Sequence, residues 1–456
     1  MADKNFNLSL LLKRQETFSF KRRLYFVYTL SLPGILAQIS SILMQYIDAA
    51  MVGSLGKNAS AAIGLVASST WVIGSLSSAF CIGFTVQAAH AVGAGKQDEA
   101  RSILAQALTC SLFFALIIMA AGSVISCYLP DWLGGSQDIK SDASFYFLIF
   151  ALTEPFYLLT RLMSGMLQCT GNMKLPSFMN ALMCILDIVF NAFYIFVCKM
   201  GVKGAALGSM TSALVTAALI TYMTIFRKGF LCLREKKVSF KPLRHITQKA
   251  FKLAVPVAVE QVAFTGALVV VTKIIAPMGE ASLAANSFAV TAESLCYMPG
   301  YGIGEAATTL VGQSVGGKRK DLARSFSWIT VAAGMTVMTL MGIIMYFICP
   351  AVFFILTREE DVQKLAVHIL RLELFAEPFY AASIVAAGAL RGAGDTLIPS
   401  ILNLISVWIV RLGLSILLSP SLGLSGIWIA MAAELCFRGI IFLCRLAYLF
   451  RYRKDN

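Results

Sequence analysis

The sequence predicts an all-α membrane protein of twelve transmembrane helices, arranged as two six-helix lobes related by a parallel pseudo-two-fold axis along the membrane normal. An apolar excess, a series of helix-length apolar runs and an internal repeat together predict it. Of 456 residues, 58% are hydrophobic and 14% charged, against roughly 45–50% and 25% in a soluble domain.

A bilayer-spanning helix needs about 20 mostly apolar residues, because each rises about 1.5 Å through a hydrocarbon layer about 30 Å thick. Such runs lie near residues 25–52, 60–92, 102–128, 142–168, 176–198 and 204–226, and again near 250–277, 281–313, 323–349, 366–391, 397–419 and 424–449. They divide the chain into a basic N-terminal segment (1–23), a first lobe (24–226), a linker (227–249), a second lobe (250–449) and a tail (450–456). No small-residue cleavage site follows the first apolar run, so no removable signal peptide is expected.

The net charge of +14 gathers in three places. Lys13, Arg14, Lys21, Arg22 and Arg23 precede the first span. Arg227, Lys228, Arg234, Lys236, Lys237, Lys241, Arg244 and Lys249 join spans six and seven, and Arg451, Arg453 and Lys454 close the chain. An even number of spans precedes each cluster, so all three share one side, which the positive-inside rule makes cytoplasmic. The expectation is a multi-pass protein of the cell membrane, both termini cytoplasmic, whose basic residues meet anionic lipid headgroups and not nucleic acid. Single cysteines inside apolar runs (Cys81, Cys110, Cys184, Cys296) read as packing residues.

Shifted against itself by 223 positions, the sequence comes into register without a gap from about residue 33 to 180. Pro33 then meets Pro256, Gln38 meets Gln261, Gly56 meets Gly279, and Val92, Gly93, Ala100 and Arg101 meet Val315, Gly316, Ala323 and Arg324. The run Glu154, Pro155, Phe156, Tyr157 falls on Glu377, Pro378, Phe379, Tyr380, and Gly171, Pro176 and Asn180 on Gly394, Pro399 and Asn403. Apolar composition would match Leu with Leu, but not Pro, Gly, Glu and Arg at one spacing. Halves with even span numbers enter the membrane in the same sense, an arrangement that recurs in secondary transporters working by alternating access.

Each ionisable group inside a span costs several kcal/mol unless it is paired, protonated or facing water, and so marks candidate function. Asp48 sits late in span one with Gln45 and Gln38 at spacings that put them on one face. A carboxylate there can take up and release a proton, or serve with amide oxygens as a hard ligand for Na+. Asp187 and Asn191 in span five lie i,i+4 and add a second carboxyl–amide pair. Glu260, beside Gln261 in span seven, is a candidate second coupling or substrate-cation site. Pro33 and Pro256 suggest bent helices, while Glu154 and Glu377, with Arg161 and Arg391 further along, read as structural or gating groups because both halves carry the motif. Glu293, Glu305, Lys273 and Arg411 are further charges within spans, and Glu434 with Arg438 reads as an i,i+4 ion pair. Some of the aromatic residues could line a cavity for flat cations. No GxxxxGKS/T loop occurs, so direct ATP drive is disfavoured. No cofactor is expected, and no metal beyond Na+ at the coupling residues.

The segments YIDAAMVGSLG, VQAAHAVGAGKQDEAR, EPFYLLTRLMSGMLQCTGNMKLP, VGQSVGGKRKDLAR and AAGALRGAGDTLIP resemble the multidrug and toxic compound extrusion (MATE) family of cation-coupled antiporters, over nearly the whole chain. The resemblance implies two lobes with a central cleft and export of organic cations or lipophilic toxins against inward H+ or Na+; the chain is expected to act as a monomer. It implies the coupling role for Asp48, which matches the family's span-one acid in its distance from Pro33. Asp187 and Asn191 stand in reversed order relative to the family pattern. Glu260 lies about one turn nearer the proline than in the sodium-coupled branch, and Tyr380 stands where that branch has an aspartate. Two alternatives are a flippase for lipid-linked oligosaccharides, which would need cleft-facing arginines (Arg161, Arg391, Arg411), and a membrane-embedded enzyme, which would need a metal cluster or activated nucleophile.

Overall fold

The computed structural model describes residues 19–227, 229–234 and 239–452. Residues 1–18 of the N-terminal segment and 453–456 of the tail therefore lie outside the described residues. So do Lys13, Arg14, Lys228, Lys236, Lys237, Arg453 and Lys454 of the basic clusters.

Every apolar run expected to span is helical. The first half holds α1 (Phe20–Gly53), α2 (Lys57–Gly93), α3 (Gln97–Ser126), the single turn α4 (Leu129–Trp132), α5 (Gln137–Cys169), α6 (Lys174–Ala192) and α7 (Gly201–Ile225). The second holds α8 (Arg244–Ile275), α9 (Glu280–Gly316), α10 (Lys320–Leu356), α11 (Glu360–Glu373), α12 (Glu377–Gly392), α13 (Leu397–Ile405) and α14 (Leu412–Tyr452). A π turn, Phe193–Val197, extends α6, and another, Ser406–Arg411, joins α13 to α14. A 3-10 turn, Leu374–Ala376, links α11 to α12 just ahead of Pro378. Gly423, at φ 57° and ψ −137°, breaks α14 between the two last expected spans.

Several helices outrun the apolar runs that marked them, and α8 starts at Arg244, inside the stretch read as linker. The apolar run records how much of a helix sits at hydrocarbon depth; backbone hydrogen bonds continue into the polar ends. Among the described residues, nine helical stretches are long and apolar enough to cross a membrane by length and composition, Leu397–Arg451 counting as one. Of the helices outside that set, α9 and α11–α12 carry the buried glutamates Glu293, Glu373 and Glu377. Large apolar side chains lie outside as well as inside. On α10, Phe347 and Phe354 are each 73% exposed and Ile355 82%, as expected of a helix whose solvent is lipid.

The helices form two compact units, one of Ser40–Ala258 and one of residues 19–39 with 259–452. The first is built on a core of α2, α3 and α5, including Phe84, Leu104, Leu162 and Met166. The second centres on Met338, Phe353, Leu370 and Trp428. The N-terminal part of α1 belongs to the second unit, where a Cβ on Gly34 would stand 2.8 Å from the Gly302 carbonyl oxygen, so only glycine lets α1 and α9 cross so closely. The N-terminal part of α8 belongs to the first, where a Cβ on Gly83 would strike the Ala250 carbonyl. Repeat-paired positions share backbone conformation: φ is 109° at Gly56 and 97° at Gly279, 87° at Gly171 and 83° at Gly394.

Candidate functional site

Within the first unit, three helices bring a carboxyl–amide–carboxyl chain together. Asn191 on α6 donates both amide hydrogens, one to Asp48 Oδ1 on α1 at 3.0 Å and one to Asp187 Oδ2, a turn earlier on its own helix, at 2.9 Å. From α7, Ser212 Oγ lies 3.1 Å from Asp187 Oδ1 and 2.9 Å from the Ser209 carbonyl, so its one proton serves either acceptor. Asp187 is 1% exposed and Asn191 2%, while Asp48 is half-buried. Gly208 makes the approach of α7 possible, since a Cβ there would fall on the Asn191 side chain and 2.7 Å from its backbone nitrogen.

The donors in this chain are neutral and spoken for. Neither aspartate is in an ion pair among the described residues, and Asn191 Oδ1, also buried, has no hydrogen-bond partner among them. Two carboxyl groups, a spare amide oxygen and a hydroxyl are hard oxygen ligands lacking a positive partner, an arrangement suited to a proton or a small cation. The phenols of Tyr146 and Tyr157 lie within electrostatic reach of both aspartates. At the repeat offset, Asp48 becomes Val271, so the matching position of the second half carries no carboxylate.

The other sequence-predicted residues lie elsewhere. Gln38 donates to Glu305 at 3.1 Å in the second unit, and Gln45 is exposed; neither hydrogen-bonds Asp48. Glu260, 6% exposed, is cradled by Ser400 at 2.6 Å, Asn403 at 2.5 Å and Arg391 at 3.4 Å. Among the described residues, Gln261 accepts a bond from Thr265 through its backbone carbonyl, at 3.1 Å. Tyr380 is buried under the Arg438 guanidinium, 5.2 Å from its ring centre. Glu434 pairs with Arg438 at 3.2 Å and accepts from Ser406 at 2.5 Å.

The repeated glutamates differ. Glu154 accepts a short bond from Ser77, whereas both oxygens of Glu377 lack a partner among the described residues. The reason is legible in the repeat, for Ser77 corresponds to Gly300. Arg161 bonds the Gly74 carbonyl at 3.2 Å and not Glu154. Pro33 and Pro256 both lie inside long helices. Sequence reasoning missed Ser212, Gly208 and the two tyrosines; a small-residue stretch, GSMTSA, within α7 was the available signal for the first two.

The fold is that of a polytopic membrane transporter. It superimposes on an outward-facing multidrug resistance MATE family transporter of the MOP superfamily with TM-score 0.89 at 19% identity, covering 94% of this chain and 96% of the other. A MOP superfamily transporter from Pyrococcus furiosus, reported with a binding pocket of reverse polarity, gives 0.88 at 19%, covering 95% and 99%.

The chain belongs to the MATE family. The MatE family model matches it twice, over residues 33–193 and 256–417, with starts separated by the repeat offset. The probable multidrug resistance protein NorM of Thermotoga maritima is 29% identical over 90% of this chain and 89% of its own length. The uncharacterized transporter YisQ of Bacillus subtilis is 25% identical over 91% and 92%. As a member of this family the chain is a transporter and not an enzyme.

Proposed function

We propose that this transporter exports organic cations or other lipophilic small molecules in exchange for H+ or Na+, by alternating access, from a cell membrane that it crosses twelve times with both termini cytoplasmic. Its likeness to relatives named as multidrug resistance proteins supports the substrate class, and the repeat offset recurring in the family match supports two parallel six-helix halves.

The observation that carries the coupling role is the Asn191 amide holding Asp48 and Asp187 together, from two helices, with no cation beside them among the described residues. Loading such a site with a proton or Na+ offsets the mutual repulsion of two carboxylates and draws α1 toward α6. A ligand shifts a conformational equilibrium only through its different affinities for the two states, and a site shared between two helices supplies that difference. Arg391 is engaged by Glu260 at 3.4 Å, which leaves it unsuited to the anionic pyrophosphate of a flippase substrate.

Purified protein in proteoliposomes, given an imposed pH or Na+ gradient, tests the proposal. Uptake of a fluorescent organic cation driven by one gradient, and lost in Asp187→Asn, is expected. Equal uptake without any gradient would refute exchange.

A further inference from the structure

In the second unit the helix that makes up the tenth expected span is broken in its middle. α11 ends at Glu373, a 3-10 turn covers Leu374–Ala376, and α12 starts at Glu377, so a carboxyl stands on each side of the break. Both glutamates are 0% exposed, and none of their four oxygens has a hydrogen-bond partner among the described residues. Glu293 on α9, 5% exposed, lies within electrostatic reach of both. α10 meets them at Gly342, where even a Cβ would come within 3.4 Å of Glu377 Cγ, so that helix has no side-chain donor at this point.

The charges around the three carboxyls do not balance. Arg438 on α14 is held by Glu434 at 3.2 Å, which leaves Arg411 on the π turn. Arg411 lies within reach of Glu293 and Glu373 but is in an ion pair with neither among the described residues. Arg371 of α11 bonds the Tyr346 carbonyl and covers its ring. The other titratable neighbours are Cys296 on α9, Cys349 on α10, Tyr380 on α12 and Cys436 on α14, thiols and a phenol that ordinarily carry no charge near neutral pH. Three carboxylates against one guanidinium would leave two buried negative charges, at several kcal/mol each, and a buried carboxyl avoids that cost by holding a proton. Among the described residues no three His, Cys, Asp or Glu are placed to share a metal ion, so the proton is the ligand these groups suit.

The first half does without these acids. At the repeat offset Glu293, Glu373 and Gly300 match Thr70, Phe150 and Ser77. Thr70 bonds the Ala67 carbonyl of its own helix at 2.8 Å, Phe150 lies beside the rings of Phe147 and Tyr157, and Ser77 bonds Glu154. There α5 runs unbroken from Gln137 to Cys169. In the second unit Gly300 has no hydroxyl to offer, the Met338 sulfur packs against it, and the helix is interrupted between the two glutamates. Helices interrupted near mid-membrane recur where transporters bind ions, and a 3-10 stretch inside a helix often marks a hinge.

We propose that Glu293, Glu373 and Glu377 form a second proton-exchange site, separate from both the Asp48–Asp187 pair and the Glu260 cradle, that holds two protons in this conformation and gives up one in each transport cycle. The proton leaves as one carboxyl O–H breaks, and the carboxylate left behind is the partner Arg411 lacks. Both glutamates are sealed from water here, so release belongs to the other conformation, reached by bending at Leu374–Ala376. The place of the site in the cycle rests on the exchange reading above; its protonation does not.

Infrared spectroscopy of the full-length protein in lipid tests the protonation. A carboxylic-acid band should be present at neutral pH and shrink as the pH is raised. Glu373→Gln and Glu377→Gln should each remove part of it, and both together most of what remains in an Asp48→Asn, Asp187→Asn background. An unaltered band in the double Gln variant would overturn the proposal, as would a band that persists at every pH at which the protein stays folded, since its protons would then be permanent. In proteoliposomes at zero membrane potential, losing one exchanged proton should lower the plateau accumulation of a fluorescent organic cation about tenfold for each unit of imposed pH gradient. A merely structural defect would slow uptake and leave the plateau where it was, and an unchanged plateau in the double Gln variant would overturn the role in the cycle. Wild-type protein that accumulates nothing under either gradient would remove the exchange reading while leaving the titrating band in place.

Discussion

Replacing Gly208 by alanine tests the coupling site through a single methyl group placed away from every charged atom. A Cβ at this position would stand 2.7 Å from the Asn191 backbone nitrogen, where ordinary contact begins at 3.4 Å. Relief therefore needs α7 and α6 to part by about 0.7 Å, and overpacking of this kind costs about 1–3 kcal/mol. The Ser212 to Asp187 bond, now 3.1 Å, would stretch past hydrogen-bond range, and the Asn191 side chain, which the methyl meets directly, would have to turn away from one carboxylate. Losing one bond to a charged group costs roughly 1.5–3 kcal/mol, so the affinity for the coupling cation should drop about 10- to 100-fold. The assay is the initial rate of gradient-driven uptake against cation concentration, beside a thermal melt of the same sample. Gly64→Ala is the control, because nothing lies within 4 Å of its new Cβ, and it should leave transport intact while raising stability by about 0.5–1 kcal/mol. If Gly208→Ala transports with unaltered cation dependence, the close packing of α6 on α7 does not serve the site.

Asp48→Asn and Asp187→Asn should each abolish drug tolerance in a susceptible host with expression intact; wild-type tolerance in either would remove that residue from coupling. Ser212→Ala deletes a bond whose one proton is shared with the Ser209 carbonyl, worth only about 0.5–1.5 kcal/mol, and should raise the half-saturating cation concentration several-fold, read from the same uptake curves. Glu434→Gln breaks the ion pair to buried Arg438 and should destabilise by about 3–5 kcal/mol. Glu377→Gln, which breaks no ion pair among the described residues, should cost clearly less in the same melt; comparable losses in both would refute the distinction.

The sequence alone determined the fold class, because a chain in lipid must close its backbone hydrogen bonds within each span, and apolar runs of helix length leave no other solution. It determined the duplication too, since glycines at turns such as Gly56 and Gly279 are demanded by positive φ and so persist at a fixed offset. It also placed Asp187 and Asn191 on one face, a spacing that the helix period fixes. Only the tertiary structure decided which polar groups meet. Gln38, spaced like a partner for Asp48, bonds Glu305, and Ser212, 25 residues from Asp187, reaches it. Helical periodicity says which side of a helix a group is on, whereas the neighbour it meets depends on how closely a second helix can approach, and at this site a hydrogen in place of a methyl at Gly208 sets that distance.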